Sequence, residues 1–443
     1  MRVYVYTLGC KLNQCESEAI ADAFTHEGFS LVDSGETADI YIVNTCTVTS
    51  KAEQKARRMI RKFLHDNGDG VVITTGCYAQ MESGLLSSLG ERVVVIPLES
   101  KPKLLHLPSL LQKRLIASVD LLDAVRSALD DEKDSISSFD YDAVSFSLHS
   151  RSFLKVQDGC DNSCGYCRVT IARGKSVSLA MDEAITRALS LQDSGYKEIV
   201  LTGVNLSAYE DKDKHLEHLL ERLVAVLHPH VRIRLSSLEP DSFTEGLYEI
   251  LKSDQIQPHF HLPLQSLCDS VLDRVDRHYH HDTVFECVER LREVKDDPFI
   301  AADMITGLPG EYDREFEESF NRLKELEITQ LHVFPFSPRP QTPLWGAKDR
   351  SPEYVRDQRA SRLRSLSAVH YRRYIDRHIG KSVQVLLEKE SRQQLHGICE
   401  NYLKVIVTQA PPDIGRGALI RARIDHRESD GQLIAVFEDV LHA

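Results

Sequence analysis

Short β-branched apolar runs alternating with amphipathic stretches mark the first part of the chain. Residues 3–7, 39–45, 71–75 and 93–96 read as buried strands. Between them, Ser50 with Glu53 three residues on reads as a capping box opening a helical pattern that runs to about His65. Strands alternating with helices predict a parallel α/β sheet with crossover connections over 1–97. The pattern then weakens over 98–150, where Ser, Asp and Lys accumulate through DDEKDSISSFDYD; this stretch reads as a linker holding one helix.

From Arg151 the alternation resumes. Strands are predicted over 153–157, 198–202, 232–236, 259–264, 300–305 and 331–336. A helix over 314–326 sets Phe316, Phe320 and Leu323 on one face. Six β/α units are too few to close an eight-stranded barrel, so 151–350 predicts an open, partial (β/α)6 barrel. An arginine-rich helix occupies 351–380. Beyond it only short strands remain, over 383–387, 403–407, 419–424 and 433–437, and 381–443 predicts a small OB-like β-barrel. The fold class is α/β with this β-only appendage.

Composition narrows the setting. The 443 residues, 42% hydrophobic and 27% charged, suit a multidomain globular chain. No apolar run approaches the length of a membrane span, and MRVYVYTLGC lacks the basic-then-apolar pattern of a signal peptide, so a cytoplasmic location is expected. Ten cysteines in that reducing compartment point to metal binding rather than disulfides. A formal charge of -13 argues against nonspecific coating of nucleic acid. Two basic stripes run against that balance. Lys51, Lys55, Arg57, Arg58, Arg61 and Lys62 face a single acid, Glu53, and eight Lys/Arg over 356–381 face Asp357 and Asp376. Each stripe reads either as an RNA contact or as a solvated helix face.

The strongest chemical signal is Cys160-Asp-Asn-Ser-Cys164-Gly-Tyr-Cys167, a C-x3-C-x2-C loop directly after a predicted strand. Three thiolates on one short loop can hold three corners of a 4Fe-4S cubane and leave its fourth iron open to S-adenosylmethionine. Zinc, the competing occupant, prefers four ligands, usually from two separated pairs. A second set is dispersed. Cys10, Cys46 and Cys77 each follow a predicted strand, in VYVYTLGC, IYIVNTC and VVITTGC. In a parallel sheet such strand ends gather at one edge, which predicts a second cluster with three protein ligands. The competing reading makes one or two of them buried small hydrophobes. Cys15, Cys268, Cys287 and Cys399 have no such placement, and Cys287 falls on an amphipathic helix.

With both sets in view the chain resembles the radical S-adenosylmethionine methylthiotransferases. These join an N-terminal three-cysteine domain, a radical S-adenosylmethionine barrel and a C-terminal TRAM domain. TLGCKLNQCESE, NTCTVTSKAEQK and LTGVNLSAY are similar to the MtaB type. The resemblance implies insertion of a methylthio group at C2 of N6-threonylcarbamoyladenosine at position 37, beside the tRNA anticodon. It implies two 4Fe-4S clusters and S-adenosylmethionine as cofactors. The partners implied are tRNA and an electron donor, with the sulfur source open. It further implies cofactor contacts from Tyr166, Arg173 and Glu239, from His261 and Gln265 in HLPLQS, and from Gly307 and Glu311 in MITGLPGE. RNA contacts are expected from Arg362, Arg372 and Arg373, with Tyr402 as a stacking platform. A C-terminal module with this role would hold RNA without taking part in the chemistry, and its removal should spare cleavage of S-adenosylmethionine. Alternatives are methylthiolation of isopentenyladenosine or of a ribosomal protein, and, from another class, a non-catalytic RNA-binding metal scaffold. Four residues depart from the family pattern: Leu267 after LQS, Arg168 and Thr170 after the cysteine loop, and Gln341 where a Gly is usual.

Overall fold

The computed structural model describes all residues except 116–119, 131–136, 142, 144, 147, 389–393 and 443. They form two compact units. The first comprises Met1–Leu148, Lys155–Asn162 and Cys167–Leu179; the second comprises His149–Leu154, Ser163–Tyr166 and Ala180–Ala443.

In the first unit, strands β1 (Arg2–Thr7), β2 (Ser30–Leu31), β3 (Ile40–Thr45), β4 (Val71–Gly76) and β5 (Val93–Val95) form a parallel sheet in the order β2-β1-β3-β4-β5. Every residue of β3 and β4 is buried, as continuous apolar runs in a two-sided sheet require. Helices α1 (Lys11–His26), α2 (Ser50–Asp66), α3 (Cys77–Met81) and α4 (Ser83–Ser87) connect the strands. The start of α2 differs from expectation. Thr49 is its N-cap and accepts from the Ala52 N–H at 3.2 Å, while Glu53 is buried and points inward. The segment expected as a linker also differs. Helices α5 (Lys103–Leu115) and α6 (Leu121–Asp130) place Leu104, Leu107, Leu111, Val125 and Ala128 in one core with Ile20, Ile42 and Ile73. Their apolar spacing supplies a cover for the sheet, which a linker would leave open. Of the rest of the acidic stretch, residues 131–136 and 142 lie outside the described residues.

The second unit carries strands β6 (Ser152–Lys155), β9 (Glu198–Thr202) and β12 (Arg232–Leu235) in one three-stranded sheet; β13 (His259–Gln265), β14 (Phe299–Thr306) and β15 (Gln330–Pro335) form another. Parallel bridges Ile233↔Ile256 and Ser237↔His261 join their edges; β9, β12, β13, β14 and β15 run parallel, and β6 beside β9 makes six strands of an open barrel. A short pair, β7 (Gln157–Asp158) with β8 (Val177–Ser178), belongs to the first unit, as does α7 (Val169–Arg173). The hairpin β10 (Glu210–Asp211) and β11 (Lys214–His215) precedes helix α9 (Leu216–Val226). Other crossovers are α8 (Met181–Asp193), α10 (Glu245–Leu251), α11 (Asp269–Arg274), α12 (His281–Val294) and α13 (Asp313–Leu326).

The long helix α14 (Glu353–His378) then leads to β16 (Ser382–Leu387), β17 (Leu395–Cys399), β18 (Lys404–Thr408), β19 (Leu419–Arg427) and β20 (Leu433–His442). These five strands close as a barrel in the order β16-β17-β18-β20-β19. The sequence predicts four of them; β17 is the addition. The barrel core is continuous with Phe299 and Ala301 of β14 and with Tyr374 and Ile375 of α14.

Candidate cluster sites

The three dispersed cysteines follow three neighbouring parallel strands. Cys10 is the N-cap of α1, Cys46 directly follows β3, and Cys77 opens α3. The approach of β3 and β4 at this edge depends on Gly76. Its φ is +95°, and a Cβ there would come within 2.4 Å of the Thr45 carbonyl oxygen, so a side chain would push the two strand ends apart. Thr45 bridges the same gap: its hydroxyl donates to the Thr75 carbonyl at 2.5 Å and accepts from the Ala79 N–H at 3.1 Å. Asn13, buried in α1, donates to the carbonyls of Leu8 and Thr45 at 2.7 and 3.1 Å and so fixes the turn bearing Cys10. Burial pushes the Cys46 thiol up to about 12, with Cys77 and Cys10 nearby adding to the rise. Solvent reaches Cys10, yet the protein crowding it also raises its thiol, against the pull of Arg173. Binding of a metal by these thiols would displace their protons.

Arg173 reaches the dispersed cysteine set. Its Nε–H donates to the Cys77 sulfur at 3.3 Å. Its two other nitrogens donate to Glu16 at 3.0 and 3.2 Å, to Asp158 at 2.9 Å and to Asn13 at 2.8 Å. Glu16 is buried and also meets Lys101 and, at 2.9 Å, Lys155. Burial alone would raise the Glu16 carboxyl; Arg173, Lys101 and Lys155 outweigh it and hold it well below the usual range. This cluster borders a cavity of about 320 Å³ lined by Glu16, Tyr141, Lys155, Asp158, Arg173 and Gly174, among others.

The C-x3-C-x2-C loop begins after a similar constraint. Gly159 has φ +68°, and a Cβ would fall 1.9 Å from the Lys175 carbonyl oxygen. The Cys160 N–H donates to Gly174, and the Val169 N–H points at the Cys167 sulfur at 3.4 Å. Arg168, an unusual residue at its position, is buried and donates to Glu53 at 3.0 Å, to Glu82 at 2.6 Å and to Thr47 at 3.2 Å. The departure is therefore matched by acids on the segments carrying Cys46 and Cys77. Nothing in the structure accounts for Thr170.

In the second unit, Cys164 accepts from Arg277 at 3.3 Å. Arg277 is buried, paired with Glu239, and donates to the Pro263 carbonyl at 2.9 Å and the Tyr279 hydroxyl at 2.8 Å. Arg277 gave no periodic or motif signal in the sequence; its role follows from contacts with residues far along the chain. Tyr166 lies against an apolar cluster with Val271, Leu308 and Leu344. His261 Nε2 lies 2.9 Å from an Asp303 oxygen without the alignment of a hydrogen bond. Gln265 is buried with φ +63°, a strained backbone at the end of β13 where the register with β14 shifts.

Several residues expected at cofactor or RNA contacts have their side chains engaged within the protein. Glu311 is buried, accepting from the Gly307 N–H at 2.6 Å and from Arg359 at 2.8 Å, so its carboxylate holds the turn. Tyr402 does not offer a free stacking face: its ring stacks on His259 at 4.0 Å, with the Arg234 and Arg151 guanidinium groups 5.1 and 5.8 Å from its centre. On α14, Arg362 forms an ion pair with Glu317, and Arg373 lies 2.7 Å from Glu327. Arg372 alone of the three is exposed without a partner among the described residues. Leu267 is fully buried and its carbonyl accepts from Arg322 at 2.6 Å.

The donor chemistry of both cysteine sets fits 4Fe-4S clusters: soft sulfur ligands in threes, each set carrying an arginine N–H aimed at one sulfur. Comparison with known proteins agrees with this architecture. Residues 2–96 match the uncharacterized protein family UPF0004, and residues 154–323 match the radical SAM superfamily. The threonylcarbamoyladenosine tRNA methylthiotransferase MtaB of Treponema pallidum is 35% identical, covering 96% of this chain and 98% of that protein. Its namesake in Bacillus subtilis is 33% identical, covering 99% and 97%. Among solved structures, the radical S-adenosylmethionine methyltransferase TsrM from Kitasatospora setae aligns with a TM-score of 0.52 at 13% identity, covering 78% of this chain and 77% of that one. That last likeness concerns the fold alone.

Proposed function

The chain belongs to the MtaB family of threonylcarbamoyladenosine tRNA methylthiotransferases, and from that premise we propose how its residues divide the work. Cys160, Cys164 and Cys167 hold one 4Fe-4S cluster; Cys10, Cys46 and Cys77 hold a second. The methylthio group goes to C2 of N6-threonylcarbamoyladenosine at position 37. When bound, the clusters and S-adenosylmethionine supply the one-electron chemistry and the sulfur that no side chain can deliver to an unactivated C–H carbon.

The protein orients and insulates. Arg173 donates to the Cys77 sulfur and is itself held by Glu16, Asp158 and Asn13, so the thiolate form of Cys77 meets a fixed cation. Arg277, held by Glu239 and Tyr279, does the same for Cys164. Glu239 thus acts through Arg277. His261 within β13 and Gln265 at its end would help to hold S-adenosylmethionine, and Tyr166, between Cys164 and Cys167, packs on the apolar cluster of Val271, Leu308 and Leu344. The reading is supported by the placement of the three cysteines after three adjacent parallel strands, with Arg173 donating to one of them. The enzyme would work in the cytoplasm with tRNA and a one-electron donor as partners. Among the described residues no helix is long and apolar enough to cross a membrane.

Protein purified without air should hold about eight iron and eight sulfide, from two cysteine-ligated cubane clusters. Cys164→Ala should abolish cleavage of S-adenosylmethionine, whereas Cys46→Ala should keep some cleavage and lose sulfur insertion. Mass analysis of tRNA nucleosides after reaction should reveal the 2-methylthio derivative of N6-threonylcarbamoyladenosine. Product on isopentenyladenosine, or on a ribosomal protein, would overturn the substrate; reconstitution to only four iron would overturn the second cluster.

A further inference from the structure

We propose that the outer face of α2 is a phosphate-binding strip for the tRNA substrate, an inference that rests on the tRNA reading above. At 100° per residue, Lys51, Lys55, Arg58 and Lys62 fall on one narrow arc of α2, with Arg61 beside them. The opposite arc, Glu53, Ala56, Ile60 and Phe63, is buried against the sheet. Lys51, Arg58 and Arg61 are exposed, and among the described residues none has a hydrogen-bond, ion-pair or ring partner. Lys55 lies over the Tyr6 ring, 5.9 Å from its centre, with its charge unpaired by any acid among the described residues. The acid nearest in sequence, Glu53, is turned inward onto Arg168 and Thr47. Of the row, Lys62 is the member with an acidic neighbour, Asp66.

This is an unusual arrangement in a chain of formal charge -13, and α14 supplies the contrast. There Arg359, Arg362, Arg373 and Arg377 are engaged by Glu311, Glu317, Glu327 and Asp297. An arginine already paired with a carboxylate must give up that partner to take a phosphate, so binding there gains less than at an unpaired one. A row of cations three and four residues apart matches a polyanion that presents charges in series. The row spans roughly 17 Å from Lys51 to Lys62 at 1.5 Å per residue. Its position suits the reaction. Only Thr47, Val48 and Thr49 separate α2 from Cys46, and Val48 is 52% exposed, an apolar step between the cationic strip and the cysteine edge. A backbone gripped by α2 would hold its nucleoside next to the sulfur-bearing end of the sheet.

The test uses the full chain, prepared without air with its clusters, and tRNA carrying N6-threonylcarbamoyladenosine. Binding is followed by fluorescence anisotropy across a salt series. Combining Lys51→Gln, Lys55→Gln, Arg58→Gln and Arg61→Gln should weaken binding by roughly tenfold or more. The slope of log K against log salt should fall by about 3, at roughly 0.7 for each single-stranded phosphate that is no longer neutralised. Arg362→Gln with Arg373→Gln should change the affinity less than about twofold. Arg58→Lys with Arg61→Lys, which keeps the charge, should retain the parent slope. Should the fourfold variant fail to fold by circular dichroism, Arg58→Gln with Arg61→Gln gives the same reading at half the slope change. A parent protein that does not bind tRNA would overturn the substrate reading. A parent that binds, beside folded α2 variants of equal affinity and slope, would overturn the strip alone.

Discussion

At Arg173 one guanidinium meets Cys77, Glu16, Asp158 and Asn13, and it does so with almost no exposure of its side chain. Glu16 and Asp158 would keep Lys101 and Lys155, so removing Arg173 costs its hydrogen bonds and leaves buried acceptors less satisfied, typically about 1–3 kcal/mol. Arg173→Met should therefore lower the stability of the protein by that order in denaturant unfolding. It should also loosen the Cys10/Cys46/Cys77 cluster by about 10- to 100-fold, seen as faster iron loss to a chelator while iron at Cys160, Cys164 and Cys167 is retained. Equal loss rates at both sets would remove Arg173 from this role. Gln341 offers the reverse experiment. Its φ of +70° lies in the left-handed region where a side chain costs about 1–2 kcal/mol, which explains why glycine is usual there. Gln341→Gly should raise stability by about 1 kcal/mol, reduced by the greater freedom of glycine in the unfolded chain, with a rise in Tm as the readout. The strain could not be seen from the sequence as a conformation, although the missing glycine pointed to the place.

Among elements, the loop bearing Tyr402 shows how a small barrel is fastened to a larger one. Arg234 donates to the carbonyls of Cys399 and Glu400 at 3.2 and 3.1 Å and pairs with the buried Glu198 at 2.7 Å, while Tyr402 stacks on His259. Phe299 meets the same ring edge-on at 6.2 Å. Tyr402→Ala should thus act as a large-to-small change in a packed site and cost about 3 kcal/mol or more of unfolding free energy. Salt dependence of tRNA binding should remain that of the parent. A variant of unchanged stability with weakened tRNA binding would restore the stacking platform that the sequence suggested. The helices followed their apolar periodicity well, α13 beginning one residue before its expected start. Caps were less legible, because Thr49 and Ser50 are equally good hydroxyl residues and only the inward turn of Glu53 toward Arg168 selects between them.

For the whole molecule, the C-terminal barrel cannot be treated as a detachable module. Its core includes Phe299 and Ala301 of the large barrel and Tyr374 and Ile375 of α14, so removal would expose apolar surface on β14 and α14. A chain ending near residue 380 is expected to aggregate or to lose cleavage of S-adenosylmethionine, contrary to a purely RNA-holding role. Soluble truncated protein that cleaves at the parent rate would reinstate that role. The sequence by itself determined the alternation of strands and helices, the β-only end and the two cysteine sets. These depend on local properties: the period of apolar side chains, the C-x3-C-x2-C spacing, cysteines just past predicted strands, and the rule that parallel strands bring their C-terminal ends together. Tertiary structure alone decided that Arg173 serves Cys77, that Arg277 serves Cys164, that α5 and α6 cover the first sheet, and which basic helix keeps its charges free. The reason is physical. A charged side chain adopts the partner that folding brings to it, and Arg173 and Cys77 stand 96 residues apart, beyond the reach of any local pattern.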